Sequence, residues 1–294
     1  MIWKTRITKI TKTQYPLIMA AFAGLGRTEF AASFSNAGGL GIITALNYEI
    51  NIFKKEIEKI YSLTNKPFGV NLTVIPPGIR FGDTNLTNEN YLKYLEIAID
   101  QGVNIFTTSA YQATFLGDRI REAGCYWFHK CAMMRHAISA EKAGANAITL
   151  IGMEAAGFKN TYQHTTLVNL TMAKRLLNIP VIAAGGIGDA RGFLGALAMG
   201  AEAVCLGTAI LTTKESPISE ELKENWMNTE IFSKDYHKSL YHLTLGPTRV
   251  PSPSIGLLKN IIPLKIFIES LMNNAEEILR SWGVKNEEFN TSSK

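Results

Sequence analysis

The sequence predicts an α/β chain folded as a (β/α)8 barrel, and three observations favour this class. Eight short apolar segments alternate with helix-like segments along the chain. The 294 residues, of which 46% are apolar, suffice for one large α/β domain with a substantial core. The last two apolar segments, Val181–Ala184 and Ala203–Leu206, each end in a glycine-containing corner. Strands that alternate with helices pair in parallel through right-handed crossovers, so eight such units are expected to close into a barrel.

The first elements follow from the apolar pattern. Segment 15–22 is a continuous apolar run with Pro16 at its edge, which is typical of a strand buried on both faces. Segment 28–36 is a short helix that ends at two glycines, and segment 50–63 is amphipathic at helical spacing. The other strands of this half are predicted at 40–45, 68–72 and 104–108, and the other helices at 91–101 and 110–123.

The second half repeats the pattern with clearer stop signals. Gly144 ends the helix 133–143, and Gly200 ends the helix 190–199, for which Asp189 is the expected N-cap. The remaining strands are predicted at 125–129, 147–151, 181–184 and 203–206, and the remaining helices at 166–177 and 261–282. An open doubly wound sheet is the alternative, but the turn after the first strand (Phe22–Gly26) lacks the third glycine of the dinucleotide-binding pattern.

Residues beyond the last strand break the repeat. Segment 214–254 has scattered aromatic residues, charges and prolines and no clear strand. We predict a barrel formed by residues 1–213 and 260–283, with a helical or irregular insertion at 214–259. The insertion is expected over the mouth, the end of the barrel where the carboxyl ends of the strands meet. Residues 284–294 form a polar tail.

Composition and charge narrow the function classes. The formal charge of +5 is mild, and no basic cluster interleaved with aromatic residues indicates a nucleic-acid surface. The three cysteines form neither a CxxC pair nor an even disulfide set, which favours a reducing compartment. No apolar run approaches the roughly 18–20 residues of a membrane helix, and no signal peptide is evident. We expect a cytoplasmic protein with a small-molecule substrate and no nucleic-acid or membrane partner, and a homodimer is left open.

Catalytic residues of a barrel gather at its mouth. Gly185-Gly186 and Gly207-Thr208 lie there and are predicted to bind a phosphate through backbone N–H groups. Lys130 can hold negative charge on a phosphate or a flavin edge, or be a solvated lysine at a helix start. Asn71 can bond a planar heteroaromatic edge, or satisfy backbone groups at a strand end. This ring favours a large phosphate-bearing cofactor with a planar head, and no metal-ligand spacing or GxSxG elbow is present.

Several motifs together resemble the nitronate monooxygenase family, formerly called 2-nitropropane dioxygenases. The family also includes NADH:quinone reductases and flavin-dependent enoyl reductases. The motifs, in chain order, are NAGGLGII (36–43), FGVNL (68–72), HKCAMMRHAISAEKAGANAITLIGMEAAG (129–157), PVIAAGGIGDARG (180–192) and LGTAILTTKESP (206–217). The resemblance implies a barrel with an inserted segment and non-covalently bound FMN. The residues it assigns to FMN are Met19, Ala20, Ala21, Phe22, Asn71, Lys130, Gly152, Gly185, Gly186, Gly207 and Thr208.

The chain departs from the family at one position. Family members usually carry a histidine directly after the glycine of an EAGGH or ECAGH motif, where it serves as catalytic base or donor. Here the motif ends in Phe158, which cannot exchange a proton and is expected in the substrate pocket. His164, in the same loop, and His129, at the fifth strand, are the candidate catalytic substitutes because histidine titrates in the useful range.

The resemblance therefore implies an FMN-dependent oxidoreductase that oxidises alkyl nitronates with O2. The alternative within the family is reduction of a quinone or an enoyl thioester, with NADH or NADPH as a candidate reductant. A non-catalytic flavin-binding protein is a second alternative, since the family histidine is replaced. A barrel aldolase or isomerase with Lys130 as a Schiff-base lysine is a third.

Overall fold

The structure is a computed structural model that describes residues 3–75, 86–159, 162–241, 246–247 and 250–284. Eight parallel strands form one sheet and alternate with helices, so the predicted (β/α)8 barrel is confirmed. The strands, labelled β1 to β8 in chain order, span Leu17–Met19, Gly41–Thr44, Phe68–Val74, Ile105–Ala110, Tyr126–Cys131, Ala147–Ile151, Val181–Ala184 and Ala203–Leu206.

The barrel closes between its first and second strands. Each strand from β2 to β8 pairs with the next, and β8 pairs with β1 through Ile18 and Cys205. A parallel bridge between Ile18 and Leu40 then joins β1 to the segment that enters β2. The carboxyl ends of all eight strands therefore meet at one end, and side chains of alternate residues point to the interior or to the helices.

The helices surround the barrel, and several of them follow β8 in the chain. Labelled α1 to α12 in chain order, they span Arg6–Thr11, Thr28–Asn36, Ile50–Leu63, Asn88–Asp100, Thr114–Glu122, Met134–Lys142, Thr166–Leu176, Ala190–Ala198, Thr208–Leu211, Glu220–Met227, Lys234–Tyr241 and Leu264–Ser281. Asp189 caps α8 as expected, because its carboxylate accepts a hydrogen bond from the Gly192 N–H at 2.8 Å. Gly200 follows α8 with a φ of 99°.

Several predicted boundaries are wrong by two to four residues. The first strand is only Leu17–Met19, because the chain leaves the strand after Met19 and enters a turn at residues 23–25. β3 and β5 continue to Val74 and Cys131, two residues beyond their predicted ends. The polar character of Thr73 and Lys130 hid these extensions, since a barrel strand near the mouth need not be apolar.

Helix α1 was not predicted. Trp3 and Ile7 are buried, and the Trp3 ring contacts Phe193 of α8 with centroids 5.2 Å apart. Arg6 forms an ion pair with Glu202 and donates to the Asn178 carbonyl at 2.6 Å. The basic N-terminal segment is thus a docked helix.

The chain after β8 contains α10, α11 and a 3-10 helix at Pro253–Leu257. A strand is also present, contrary to the prediction of none: Gly246–Pro247 pairs antiparallel with Phe158–Lys159 in the loop after β6. Two-residue strands carry too little apolar pattern to be recognised in a sequence. The proposed division into barrel, insertion and tail stays a prediction, and residues 285–294 lie outside the described residues. Among the described helices, none combines the length and the apolar character that a membrane crossing requires.

Candidate functional site

The strand register separates the interior from the outer face of the barrel wall. Trp127 faces the helices, because its ring packs so closely on Gly117 of α5 that a Cβ there would lie 2.4 Å away. His129 has the same strand parity as Trp127 and also points outward, whereas Lys130 points inward. Burial raises the pKa of the Cys205 thiol, and the nearby positive charge of Lys130 partly opposes this shift. The strand register from β5 to β8 gives Cys205 the same parity as Lys130, so both side chains lie on the interior face.

His129 is held within the wall. Its Nδ1 lies 2.8 Å from Thr108 Oγ1, and the same oxygen accepts a hydrogen bond from Trp127 Nε1 at 2.8 Å. Burial, with a smaller contribution from His136, lowers the pKa of His129 from 6.5 to about 4. This predicted catalytic residue is therefore neutral and hydrogen-bonded, and it lies on the side of the strand away from the barrel interior.

Lys130 lies at the mouth end of β5 and is half-buried. In the described part of the chain, no carboxylate pairs with its ammonium group. A partly desolvated cation without a counter-ion favours an anionic ligand. The structure therefore places Lys130 where the sequence expected it, as an attractive group for negative charge.

Asn71 belongs to a hydroxyl-rich network across β3 and β4. Its Nδ2 donates to Thr107 Oγ1 at 2.9 Å and to the Thr107 carbonyl at 3.1 Å, and its Oδ1 accepts from Thr73 Oγ1 at 2.7 Å. Thr73 and Ser109 hydroxyls are 3.1 Å apart. Asn71 is in mid-strand and has no exposed surface. The Asn71 amide thus links β3 to β4 within the barrel wall, and the neighbouring hydroxyls make the interior side of these strands polar.

The two glycine corners lie side by side at the mouth. Ala184 pairs with Cys205, so the residues that follow β7 and β8 lie side by side. Gly185 and Gly186 have φ angles of 109° and 73°, which a residue with a side chain rarely adopts. Among the described residues, no acceptor receives a hydrogen bond from the N–H of Gly185, Gly186, Gly207 or Thr208. Unpaired backbone donors at one place are rare and suit an anion such as a phosphate.

The loop after β6 is held by internal hydrogen bonds. The Glu154 carboxylate accepts from the Thr166 N–H at 2.9 Å and from its hydroxyl at 2.9 Å, at the start of α7. Gln163 Nε2 donates to the Gly152 carbonyl at 2.6 Å, and the Gly152 N–H donates to the Ala184 carbonyl at 2.8 Å. A Cβ on Gly152 would lie 1.9 Å from Thr166 Oγ1. Gly152 is therefore required for packing, and its own peptide groups are used inside the loop.

The two other loop predictions have different surroundings. The side chain of His164 is exposed, and its carbonyl accepts the Met153 N–H at 2.9 Å. Phe158 belongs to the short strand pair with Gly246–Pro247, which ties its loop to the chain after β8. Its backbone is therefore paired directly with the chain after β8.

The segment after β1 contributes backbone groups, rather than polar side chains, to the candidate site. Met19 and Ala20 are buried, Ala21 and Phe22 are half-buried, and the Ala20 N–H donates to the Leu206 carbonyl at 2.9 Å. Asn47 Nδ2 donates to the Phe22 carbonyl at 3.2 Å and fixes the turn. This segment runs beside the Gly207 corner, as a support for a planar ring would.

A second group at the corners was missed from the sequence. We call residues 251–257 the strap. The Ser252 N–H donates to Thr208 Oγ1 at 3.0 Å, and the Ser252 hydroxyl donates to the Glu154 carbonyl at 2.8 Å. Tyr236 Oη donates to the Pro251 carbonyl at 2.9 Å. The only available signal was the repeated Pro-Ser pattern at 251–254, which by itself indicates no more than a turn.

The family model described as nitronate monooxygenase matches residues 4–234, most of the chain. The chain belongs to the nitronate monooxygenase family. A Staphylococcus aureus (strain JH9) protein named "Probable nitronate monooxygenase" is 31% identical over 261 residues, which cover 77% of this chain and 73% of that protein. The resemblance read from the motifs is thereby confirmed, and the protein is an oxidoreductase of a flavin-dependent family.

Two solved structures are similar over nearly the whole chain. FabK from Thermotoga maritima has a TM-score of 0.80 and 27% identity, and the match covers 95% of this chain and 98% of that one. A nitroalkane oxidase from Streptomyces ansochromogenes has a TM-score of 0.78 and 21% identity, with coverage of 94% and 99%. At that identity, the second likeness concerns the fold alone.

Proposed function

We propose that this family member is an FMN-dependent oxidoreductase that oxidises alkyl nitronates with O2. The observation that carries the proposal is the pair of glycine corners, whose N–H groups at 185, 186, 207 and 208 have no acceptor among the described residues. These donors fit the phosphate of FMN, because a dianion at such a site replaces the missing acceptors. When bound, FMN would supply the redox chemistry that moves electrons from the organic substrate to O2.

The remaining residues of the proposed site would orient the flavin ring of FMN. The backbone of residues 19–22 would hold the flavin ring, and Lys130 would hold negative charge on the flavin or on the substrate. Asn71 keeps β3 and β4 in register, so that Thr73 and Ser109 present their hydroxyls to the interior. The site thus combines a phosphate end rich in N–H donors with a cationic, hydroxyl-lined end.

Phe158 is compatible with this substrate. A nitronate is already an anion and requires no base to deprotonate it, so a family member without the histidine retains the means to oxidise it. The unpaired Lys130 ammonium attracts such an anion. A neutral nitroalkane, in contrast, needs a base, and we expect it to be a poor substrate.

Reduction of a quinone or an enoyl thioester by NADH or NADPH is the alternative, kept because FabK is 27% identical over 95% of this chain. An enoyl reduction requires a proton donor, and His164 in the loop is the candidate. His164→Ala is then expected to lower turnover of the enoyl substrate. Nitronate oxidation would be insensitive to the same change, since it uses no such donor.

Anaerobic mixing separates these functions. Purified protein loaded with FMN is combined in turn with propyl-2-nitronate, NADH and NADPH, and the flavin absorbance near ~450 nm is followed. Bleaching by the nitronate alone supports the proposal, whereas bleaching by a nicotinamide nucleotide alone supports the alternative. Bound flavin that no reductant bleaches would indicate a non-catalytic flavin-binding protein and overturn both.

A further inference from the structure

The strap lies across the loops that form the phosphate end of the site. Ser252 contacts the loop after β6 through the Glu154 carbonyl and the turn after β8 through Thr208. Ser254 reaches the loop after β7, because a Cβ on Gly188 would lie 3.0 Å from the Ser254 Cβ and 3.1 Å from its carbonyl oxygen. One short segment therefore contacts the loops that follow three successive strands.

The strap is firmly held. Ser252, Ser254 and Ile255 are 4%, 3% and 1% exposed, which is unusual for serines in a connecting segment. The Ser252 N–H bonds to Thr208, and its hydroxyl donates to the Glu154 carbonyl. The same hydroxyl caps the 3-10 helix by accepting from the Ser254 N–H at 3.4 Å. Tyr236 of α11 holds the preceding carbonyl. A buried, multiply bonded segment at this place is a fixed part of the corner.

The bond from Ser252 to Thr208 determines how the Thr208 hydroxyl is used. A threonine hydroxyl has one hydrogen to donate and two lone pairs. The Ser252 N–H occupies one lone pair at 3.0 Å, and Thr208 is 7% exposed. In the described part of the chain, no acceptor receives the Thr208 hydroxyl hydrogen. Thr208 belongs to the corner that carries the unpaired N–H groups, so its hydroxyl hydrogen is available to the same anion.

We propose that Ser252 is a positioning residue for cofactor binding, which acts through Thr208. The Ser252 N–H fixes the Thr208 hydroxyl so that its hydrogen is donated to the phosphate, and the bond to the Glu154 carbonyl keeps Ser252 in place. This inference rests on the proposed FMN site. It adds that affinity for the phosphate end depends on a residue of the chain after β8, about 44 positions from the corner.

The proposal predicts that loss of the strap weakens the binding of a flavin only when the flavin carries the phosphate group. Ser252→Ala removes the anchor to Glu154 and the cap of the 3-10 helix, so the strap no longer fixes Thr208. A charge-assisted hydrogen bond is worth roughly 1.5–3 kcal/mol, which corresponds to about tenfold or more in affinity. Riboflavin lacks the phosphate, so its binding is expected to change by less than about twofold.

The experiment measures dissociation constants of FMN and riboflavin by quenching of flavin fluorescence. Wild type, Ser252→Ala, Ser252→Thr, Thr208→Val and the Ser252→Ala/Thr208→Val double variant are compared. We expect about tenfold weaker FMN binding for Ser252→Ala, recovery in Ser252→Thr, and no additional loss in the double variant relative to Thr208→Val. Equal losses for FMN and riboflavin, or additive losses in the double variant, would overturn the positioning role.

A further variant displaces the strap without altering its serines, and a matched glycine variant elsewhere is its control. Gly188→Ala places a methyl group 3.0 Å from Ser254, whereas Gly195→Ala on α8 meets nothing within 4 Å. FMN affinity is expected to fall for Gly188→Ala and to stay at the wild-type value for Gly195→Ala, with thermal unfolding as a check on folding. Unchanged FMN binding in Gly188→Ala would count against the strap. Wild-type protein that binds no FMN would instead reject the proposed function and the inference together.

Discussion

Two consecutive residues of β5 show how strand parity decides what a side chain can do. His129 points toward the helices and is neutral and hydrogen-bonded, whereas Lys130 points to the interior and has no ion-pair partner among the described residues. The sequence alone predicts both residues at the mouth. Their opposite roles follow from the register of β4 and β5, which a single sequence does not show.

Lys130 is expected to hold the anionic substrate. Replacing it by methionine removes the positive charge and keeps most of the apolar stem, so the KM for propyl-2-nitronate should rise by about tenfold or more. Lys142→Met, at an exposed position of α6, is the matched control and should leave KM unchanged. Steady-state oxygen consumption measures both. An unchanged KM in Lys130→Met would show that the ammonium does not interact with the substrate.

His129 is expected to lower stability at acidic pH. The unfolded chain binds the proton below about pH 6.5, whereas burial delays protonation of the folded state until about pH 4. The free energy of unfolding therefore decreases as pH falls through this window, by up to roughly 3 kcal/mol.

His129→Gln should remove this part of the pH dependence, as measured by urea unfolding between about pH 7 and about pH 4.5. The exposed His237 provides the control, since His237→Gln should retain the wild-type slope. A slope in His129→Gln that matches the wild type would contradict the assignment.

At the scale of elements, the carboxylate of Glu154 anchors α7. It receives both the N–H and the hydroxyl of Thr166 at 2.9 Å, so the loop after β6 is tied to the first turn of the helix. Glu154→Ala should lower the free energy of unfolding of the flavin-free protein by about 1–2 kcal/mol. Glu58→Ala, at an exposed position of α3, should have little effect. Equal effects in thermal unfolding would show that Glu154 is not a cap.

Helix α1 contributes to the core although it precedes the first strand. Ile7 has no exposed surface, and we expect Ile7→Ala to cost about 2–5 kcal/mol through lost burial and the cavity left behind. Ile52→Ala, on the exposed side of α3, should change stability by less than about 0.5 kcal/mol. Urea unfolding measures both. A small effect of Ile7→Ala would mean that α1 is only loosely docked.

The elements that could be predicted are those with a repeated apolar pattern. α2 and α3 were placed at their observed bounds, and so were β6, β7 and β8, because glycine corners or amphipathic spacing delimit them. α1 and the strap were not predicted. Their burial depends on residues far away in the chain, such as Phe193 for Trp3 and Thr208 for Ser252.

At the scale of the whole molecule, the barrel brings the distant parts of the site together. The glycine corners were predicted as a phosphate site from the sequence, and their unpaired N–H groups support that interpretation. Asn71 and Gly152 were also predicted as ligands, but their polar groups are largely used by the wall and the loop. Such internal use depends on cross-strand partners, which a motif match alone does not reveal.

The absorbance spectrum of the purified protein, followed by titration with FMN, tests the central claim most directly. We expect a flavin band near ~450 nm, or its appearance on addition of FMN, with about one FMN bound per chain. A colourless protein that takes up no FMN, with the corner N–H groups paired to other parts of the chain, would contradict the account.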